Sequence, residues 1–231
     1  MTDLALLFDL DGTLLDTAPD MAAALNALRV EEGLPPLPLE VIRPHVSRGG
    51  LALTQLAFAD HRDEDEIEPL RQRFLHRYRS DIAAHSRLFD GFASLLEHLE
   101  HHGIPWGVVT NKPGWLTDPL MDALGLAQRS AVTVSGDSTA ERKPHPLPLT
   151  TAAQAIGIPP QRCIYVGDDP RDIKAGNAAG MTTVIAAWGY IDDNAKPEHW
   201  GADRLADHPL ELQTLIPNPN GTRHEDHDPA R

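Results

Sequence analysis

Hydrophobic and polar positions along the chain form an alternating pattern of strand-like and helix-like segments. Short apolar runs typical of buried strands occur at Leu4–Phe8, Trp106–Val109, Val132–Val134, Cys163–Val166 and Thr183–Ala186. Helical patterns separate the runs that follow residue 91. Strands that alternate with helices at this spacing predict an α/β fold, with a parallel sheet covered by helices on both faces.

One long segment departs from this pattern. From Thr17, which resembles a helix N-cap, to about Ser86, the sequence shows only helical patterns and no strand-like run. We therefore expect an all-helical insertion over residues 17–86, within a core formed by residues 1–16 and 87–215. Residues 216–231 contain prolines and a glycine but no apolar periodicity, so we expect a disordered tail there.

Polar side chains follow several of the predicted strands at the point where each ends. Because ligands bind at the carboxyl ends of parallel strands, we expect these side chains to share one site. Just past the first strand, Asp9 and Asp11 should point to the same side, with Leu10 turned toward the core. The other candidates are Thr110, Asn111, Lys143, Asp168, Asp169 and Asp172.

The residue types at this expected site indicate phosphoryl transfer. Carboxylates at such density repel one another without a cation, and hard oxygen ligands suit Mg²⁺. Lys143 adds a positive charge, while Thr110 and Asn111 add neutral donors for phosphoryl oxygens. A carboxylate nucleophile, a cation, a lysine and hydrogen-bond donors together form a site for phosphate-ester chemistry.

Four motifs resemble those of the haloacid dehalogenase-like hydrolase superfamily, in the same order. They are Asp9-Leu-Asp-Gly-Thr13, Thr110-Asn111, Lys143 and Gly167-Asp-Asp-x-x-Asp172. The resemblance implies a Rossmann-like parallel-sheet core, and the helical insertion resembles that superfamily's α-helical cap. The dehalogenase branch of the superfamily has no aspartate at the position that matches Asp11, because the leaving halide needs no proton. The aspartate in this chain therefore favours phosphate esters as substrates.

The resemblance also implies residue roles. Asp9 would be the nucleophile that becomes an aspartyl phosphate, and Asp11 would be the general acid and base. Mg²⁺ would be held by Asp9, by the backbone carbonyl of Asp11 and by Asp168. Thr110 and Lys143 would bind the phosphoryl group, supported by Asn111.

Two acidic positions have more than one interpretation. Asp172 would be in the second coordination shell, orienting Lys143 or a metal-bound water, although a helix N-terminal charge explains it equally well. Asp169 is either an outer-shell residue or such a helix N-terminal charge.

We expect the helical insertion to determine substrate specificity. Its candidate contact segment is the polar, glycine-containing break Pro44-His-Val-Ser-Arg-Gly-Gly50, in which His45, Ser47 and Arg48 are candidate binding residues. Further runs, including His85–Gly91, Gly189–Ile191 and Trp200–Asp203, resemble bacterial N-acetylmuramic acid 6-phosphate phosphatases, within the phosphoglycolate-phosphatase-like group. The resemblance therefore implies N-acetylmuramic acid 6-phosphate, a metabolite of peptidoglycan recycling, as the leading substrate. The alternative substrate is 2-phosphoglycolate.

The composition of the chain limits the classes of molecule that it can bind. The 231 residues carry 34 acidic and 20 Lys or Arg side chains, a formal net charge of −14, which argues against nucleic acid and anionic lipid as partners. A single cysteine, Cys163, excludes an intramolecular disulfide framework. No signal peptide or membrane span is recognisable, so we expect a cytoplasmic enzyme. The sequence does not indicate an oligomeric state.

Two other classes of protein are alternatives to a phosphatase. A sugar phosphomutase would employ Asp9 and Asp11 but return the phosphoryl group to a second hydroxyl. A catalytically silent binding protein would need none of the reactive residues, and their presence argues against it.

Overall fold

A computed structural model describes residues 3–216 of the chain. Its core is a six-stranded sheet in the order β5-β4-β1-β6-β7-β8, in which all paired neighbours are parallel. The strands are β1 (Ala5–Phe8), β4 (Trp106–Val109), β5 (Val132–Val134), β6 (Cys163–Gly167), β7 (Thr182–Ala186) and β8 (Arg204–Ala206). The predicted α/β fold with a Rossmann-like core is thereby confirmed.

Both faces of the sheet are covered because successive side chains of a strand alternate between them. In β1, Leu6 and Phe8 join one apolar cluster, whereas Ala5 and Leu7 join the other. The helices of the core are α5 (Phe92–His101), α6 (Gly114–Ala123), α7 (Leu147–Ile156) and α8 (Pro170–Ala179). These correspond to the helical patterns expected after residue 91.

The insertion is helical, as expected, and forms the cap. It contains α1 (Ala18–Glu31), α2 (Leu39–Ile42), α3 (Gly49–Phe58) and α4 (Glu64–Ser80). A 3-10 turn, Arg43–Arg48, follows α2. Gly49 ends that turn with φ of +85°, a left-handed conformation suited to glycine. The expected irregular break is therefore a 3-10 turn that leads directly into α3.

Three short strands lack an apolar pattern and were not predicted. β2 (Leu15–Asp16) and β3 (Arg87–Leu88) pair antiparallel where the chain enters and leaves the cap. β8 adds an edge strand next to β7, with an exposed arginine and leucine. Of the expected tail, only Ile216 belongs to the described residues.

No helix among the described residues is long and apolar enough to span a membrane.

Candidate active site

The predicted site residues meet at one edge of the sheet. Asp9 follows β1, Thr110 follows β4 and Asp168 follows β6. Strand β1 lies between β4 and β6, so the carboxyl ends of these strands are adjacent. The chain runs from β1 toward β5 on one side and from β6 toward β8 on the other, which makes this edge a topological switch point.

Three carboxylates form a buried cluster at this edge. Asp9, Asp168 and Asp172 each place an oxygen within 4.8 Å of the others. Burial raises the pKa of Asp168 to about 8, and the charges of Asp9 and Asp172 add to that effect. Thr13 Oγ1, Ser47 Oγ and the amide of Tyr190 donate hydrogen bonds of 2.8–2.9 Å to Asp168. A cation would relieve the repulsion within this cluster.

Asp9 is paired with a lysine beside the cluster. Its buried Oδ1 lies 2.8 Å from Lys143 Nζ, and its side chain lines the cavity. The carboxylate is thus flanked by a cation and faces the space where a substrate would bind. The donor set consists of oxygen atoms alone, which fits a hard divalent cation.

Glycines allow the chain to approach this cluster closely. Gly12 has φ of +85°, and a Cβ there would lie 2.3 Å from Asp168 Oδ2. A Cβ on Gly189 would lie 2.2 Å from Asp168 Cβ and 2.6 Å from the carbonyl oxygen of Gly12. Neither position accepts a side chain without displacing Asp168.

Lys143 supplies the positive charge beside the cluster. Its Nζ lies 2.7 Å from Asp172 Oδ1 and also donates to Tyr165 Oη and to the carbonyl of Val109. Burial alone would lower the pKa of Lys143, but Asp172 and Asp9 raise it above its usual value. The ammonium therefore stays charged at neutral pH.

Asn111 positions this lysine through its backbone. The side-chain Nδ2 of Asn111 donates to the backbone carbonyl of Lys143 at 2.9 Å, and its Oδ1 accepts from the backbone amide of Lys143 at 3.0 Å. Thr110 is buried, and its hydroxyl accepts from the amide of Lys112 at 3.1 Å. Both residues line the cavity in front of Asp9.

Asp11 is not a member of this cluster, although its side chain lines the same cavity as that of Asp9. Its carboxylate accepts from Lys112 Nζ at 2.9 and 3.1 Å and from Thr17 Oγ1 at 2.7 Å. The cluster of carboxylates therefore contains Asp172 where Asp11 was expected. The backbone carbonyl of Asp11 remains near Asp168, because Ser47 Oγ lies 3.4 Å from the first and 2.8 Å from the second.

Lys112 was not assigned a role from the sequence. It is buried, and its ammonium lies 4.6 Å from the centroid of the Tyr78 ring, on α4. Its position directly after Thr110 and Asn111 was the available signal. A lysine in an acidic chain is ordinarily exposed, and only the fold places this one against Asp11.

The candidate cap residues occupy different surroundings. Ser47 contacts the carboxylate cluster, as described. Arg48 lines the cavity, has a half-exposed side chain, and lies 3.8 Å from Asp192 Oδ2. His45 is half-buried and is not among the residues that line the cavity.

The acidic residues at the start of α8 have separate partners. Asp169 accepts from the amide and the guanidinium of Arg171 and forms a capping box with Asp172. Asp172 thus acts as a helix N-terminal charge and also pairs with Lys143. The structure contains both contacts that the sequence offered as alternatives. Arg171, not singled out before, donates to Ser47 O at 2.7 Å and ties the cap to the core.

The cavity that these residues line has a volume of about 650 Å³ and lies between core and cap. Six basic side chains and five aspartates line it. The basic residues are Arg48, Arg71, Lys112, Arg142, Lys143 and Arg171, and the acidic ones are Asp9, Asp11, Asp137, Asp169 and Asp172. The cavity wall is therefore nearly balanced in charge although the chain as a whole is strongly acidic.

Comparison with known proteins agrees with this geometry. Residues 6–186 match the model of a family described as haloacid dehalogenase-like hydrolase. A phosphoglycolate phosphatase of Xanthomonas campestris is 50% identical over 208 residues, covering 90% of this chain and 94% of that protein. An N-acetylmuramic acid 6-phosphate phosphatase of Pseudomonas aeruginosa is 48% identical over 212 residues, covering 92% and 94%.

Solved structures show the same fold. The crystal structure of a predicted phosphoglycolate phosphatase from Haemophilus somnus matches with a TM-score of 0.83 at 29% identity. The match covers 93% of this chain and 99% of that one. The relatives named above are phosphatases, and the family model spans most of the chain, so this protein is an enzyme that belongs to the haloacid dehalogenase-like hydrolase family.

Proposed function

We propose that this protein is an Mg²⁺-dependent phosphomonoesterase that hydrolyses a small phosphorylated metabolite through an aspartyl phosphate on Asp9. The observation that carries the proposal is the carboxylate of Asp9. It is buried, its Oδ1 lies 2.8 Å from the ammonium of Lys143, and its side chain lines the cavity. A carboxylate that faces the cavity beside a cation is placed for attack on phosphorus.

The reaction would proceed in two displacements. An oxygen of Asp9 attacks phosphorus, the ester P–O bond breaks, and the leaving oxygen takes a proton from Asp11. A water molecule then attacks the phosphoryl group and gives a proton to Asp11, while the bond between phosphorus and Asp9 breaks. Inorganic phosphate and the original carboxylate result.

The surrounding residues support these steps. The ammonium of Lys143 and the hydroxyl of Thr110 would bind the phosphoryl oxygens, and Asn111 holds the backbone of Lys143. Lys112 fixes the direction of the Asp11 carboxylate. Asp11 stands apart from the carboxylate cluster, and Thr17 also donates a hydrogen bond to its carboxylate.

We propose that Mg²⁺ is held by Asp9, Asp168 and the backbone carbonyl of Asp11. Asp172 would orient this shell, because its own oxygens are occupied by Lys143, Tyr165 and the amide of Asp169. When bound, the ion supplies charge that neutralises phosphoryl oxygens and draws the ester toward Asp9. The all-oxygen donor set supports Mg²⁺ over softer metals.

We propose that residues 17–86 act as the substrate-reading cap and that residues 1–16 and 87–215 form the catalytic core. Ser47 and Arg48 would contact the substrate, since both line the cavity from the 3-10 turn of the cap. We also propose a cytoplasmic location, with a small phosphate ester rather than nucleic acid or a membrane as the partner. The acidic composition and the single cysteine support that placement.

The leading substrate is N-acetylmuramic acid 6-phosphate, which would place the enzyme in peptidoglycan recycling. A relative with that printed activity is 48% identical across 92% of the chain. The alternative is 2-phosphoglycolate, because a relative named for that activity is 50% identical.

Phosphate release from both esters tests the proposal. We expect turnover in Mg²⁺ that is lost in EDTA and lost at least about 10³-fold in Asp9→Asn, which removes the nucleophile but keeps the side-chain shape. Lys174→Met, at an exposed position on α8, is the control and should retain full activity. Isomerised sugar phosphate with little free phosphate would indicate a phosphomutase instead, and Mg²⁺ binding without turnover would indicate a binding protein.

A further inference from the structure

The cavity is larger than phosphoryl binding requires. Asp9, Thr110 and Lys143 occupy one part of its wall. Its volume of about 650 Å³ equals the share of about 20 molecules in liquid water, at ~30 Å³ each. A phosphorylated two-carbon acid would leave most of this space as solvent. The remaining wall therefore has surface available for a larger group attached to the phosphate.

That remaining wall combines apolar and cationic side chains. Trp115, Leu51 and Leu75 supply apolar surface, and Arg71 and Gln72 supply donors. Leu51 is half-exposed, which leaves apolar surface open in the cavity. Sugar binding requires such a mixture, because a pyranose ring has apolar C–H faces and polar edges.

Trp115 lines the same cavity as the phosphoryl-binding residues and is contacted by the cap. It belongs to the first turn of α6, five residues after Thr110. Arg79 of α4 donates to Trp115 O at 3.0 Å and lies 5.6 Å from the centroid of the indole ring. The His76 ring, also on α4, lies 5.5 Å from it. The indole is thus held in place where core and cap meet.

Arg71 lies on the same helix and already binds a carboxylate. Its guanidinium forms two hydrogen bonds of 2.6 Å with Glu68, whose side chain is 57% exposed. An exposed ion pair of this kind contributes little to stability, so a substrate carboxylate can replace Glu68. Arg71 and Trp115 line the same cavity, Arg71 from the cap and Trp115 from the core.

We propose that Trp115 and Arg71 form a sugar-acid subsite, in which Trp115 packs against the sugar ring and Arg71 pairs with a carboxylate attached to it. The proposal rests on the proposed phosphatase function and selects a carboxylated sugar phosphate over a two-carbon phosphorylated acid as substrate. Trp115 and Arg71 are then the residues that determine specificity, while the phosphoryl group is bound in the same way for every ester.

The test compares three esters that differ by one group at a time. N-acetylmuramic acid 6-phosphate has the sugar and the carboxylate, N-acetylglucosamine 6-phosphate has the sugar alone, and glycerol 3-phosphate has neither. We expect Arg71→Gln to lower kcat/KM about tenfold for the first ester and less than about threefold for the other two. We expect Trp115→Ala to lower kcat/KM for both sugar esters about tenfold more than for glycerol 3-phosphate.

Two further variants separate recognition from damage to the fold. Arg77→Gln makes the same change on the same helix, at a residue that pairs with Glu31, and should leave all three esters unaffected. Glu68→Gln removes the competing carboxylate of Arg71 and should raise kcat/KM for N-acetylmuramic acid 6-phosphate about two- to threefold. A residue with only a structural role would not produce such a gain.

The outcomes distinguish this proposal from the one it rests on. Equal losses on all three esters in Arg71→Gln and Trp115→Ala, or no loss in either, would overturn the sugar-acid subsite and leave the phosphatase standing. A wild-type enzyme that releases phosphate from none of the esters in Mg²⁺ would overturn both.

Discussion

Ser47 of the cap donates a hydrogen bond of 2.8 Å to Asp168 Oδ2 of the core, across 121 positions of sequence. The same hydroxyl lies 3.4 Å from the backbone carbonyl of Asp11. Two of the oxygens proposed to hold the metal thus face one cap side chain. Arg171 donates to the carbonyl of Ser47 and holds this part of the cap against the core.

Replacing Ser47 should change metal binding. In Ser47→Ala, Asp168 no longer has to give up a hydrogen bond when a cation binds. We expect the apparent Kd for Mg²⁺ to fall about two- to tenfold, in line with one hydrogen bond to a charged group. Isothermal titration of the metal-free protein measures this constant. Weaker binding in the variant would mean that the hydroxyl itself serves the cation.

We expect Asp168 to destabilise the metal-free protein. Its pKa is raised from 3.8 to about 8 by burial and by the neighbouring carboxylates, so the folded state holds a proton that the unfolded state releases. Stability in EDTA should therefore fall as pH rises from about 4 to about 8. We expect Asp168→Asn to flatten this dependence and to raise Tm at pH 7.5 by ~2–4 °C per kcal/mol of relieved repulsion.

Thermal unfolding with EDTA and with Mg²⁺ checks both parts of that prediction. The wild type should gain Tm on addition of Mg²⁺, and Asp168→Asn should not. A variant that is less stable in EDTA at pH 7.5 would contradict it, and would show that the hydrogen bonds from Thr13, Ser47 and Tyr190 outweigh the charge repulsion.

Lys112 should be needed for proton transfer by Asp11. Burial alone would lower the pKa of Lys112, but the Asp11 carboxylate raises it above its usual value, so the ammonium stays charged. Lys112→Met removes the two hydrogen bonds that direct Asp11, and we expect kcat to fall about 10- to 100-fold. Steady-state kinetics with Lys174→Met as control measure the effect. An unchanged kcat would show that Thr17 alone positions Asp11.

Tyr190 should stabilise the junction between core and cap. Its hydroxyl donates to Asp16 at 2.8 Å and accepts from the amides of Thr17 and Ala18 at 2.7 and 2.9 Å. Tyr190→Phe leaves these buried groups unsatisfied, at a cost of about 1–3 kcal/mol in free energy of unfolding. Denaturant unfolding measures that loss.

Tyr78 offers a matched control. It is also buried, but among the described residues its hydroxyl has no well-aligned hydrogen bond, and Lys112 Nζ lies 4.6 Å from the centroid of its ring. Tyr78→Phe should therefore keep or slightly raise stability. Equal losses in the two variants would mean that the Tyr190 hydroxyl contributes nothing specific.

The sequence predicted the parts of the site that depend on strand ends alone. Asp9, Thr110 and Asp168 come together because each follows a buried apolar strand, and such runs are readable from composition and length. The helical insertion was predictable because its sequence shows helical patterns and no strand-like run. The order of neighbouring strands then placed these side chains along one edge.

Side-chain directions beyond the strand ends were not predictable in the same way. The Asp11 carboxylate contacts Lys112 and Thr17 and is not part of the carboxylate cluster, and the contact with Lys112 depends on the folded chain. Tyr190 lies 174 positions from the Asp16 carboxylate that it contacts. Short strands such as β2 and β3 arise from pairing at the base of the cap rather than from any apolar pattern.

The balanced cavity wall has a consequence for how substrate arrives. A chain of net charge −14 repels a phosphate ester at long range, whereas the cavity itself does not. Encounter is thus slowed at low ionic strength, and added salt screens the repulsion over a Debye length of ~10 Å at 0.1 M. Association should therefore quicken as salt is added, so kcat/KM rises with ionic strength while kcat, set within the cavity, stays constant.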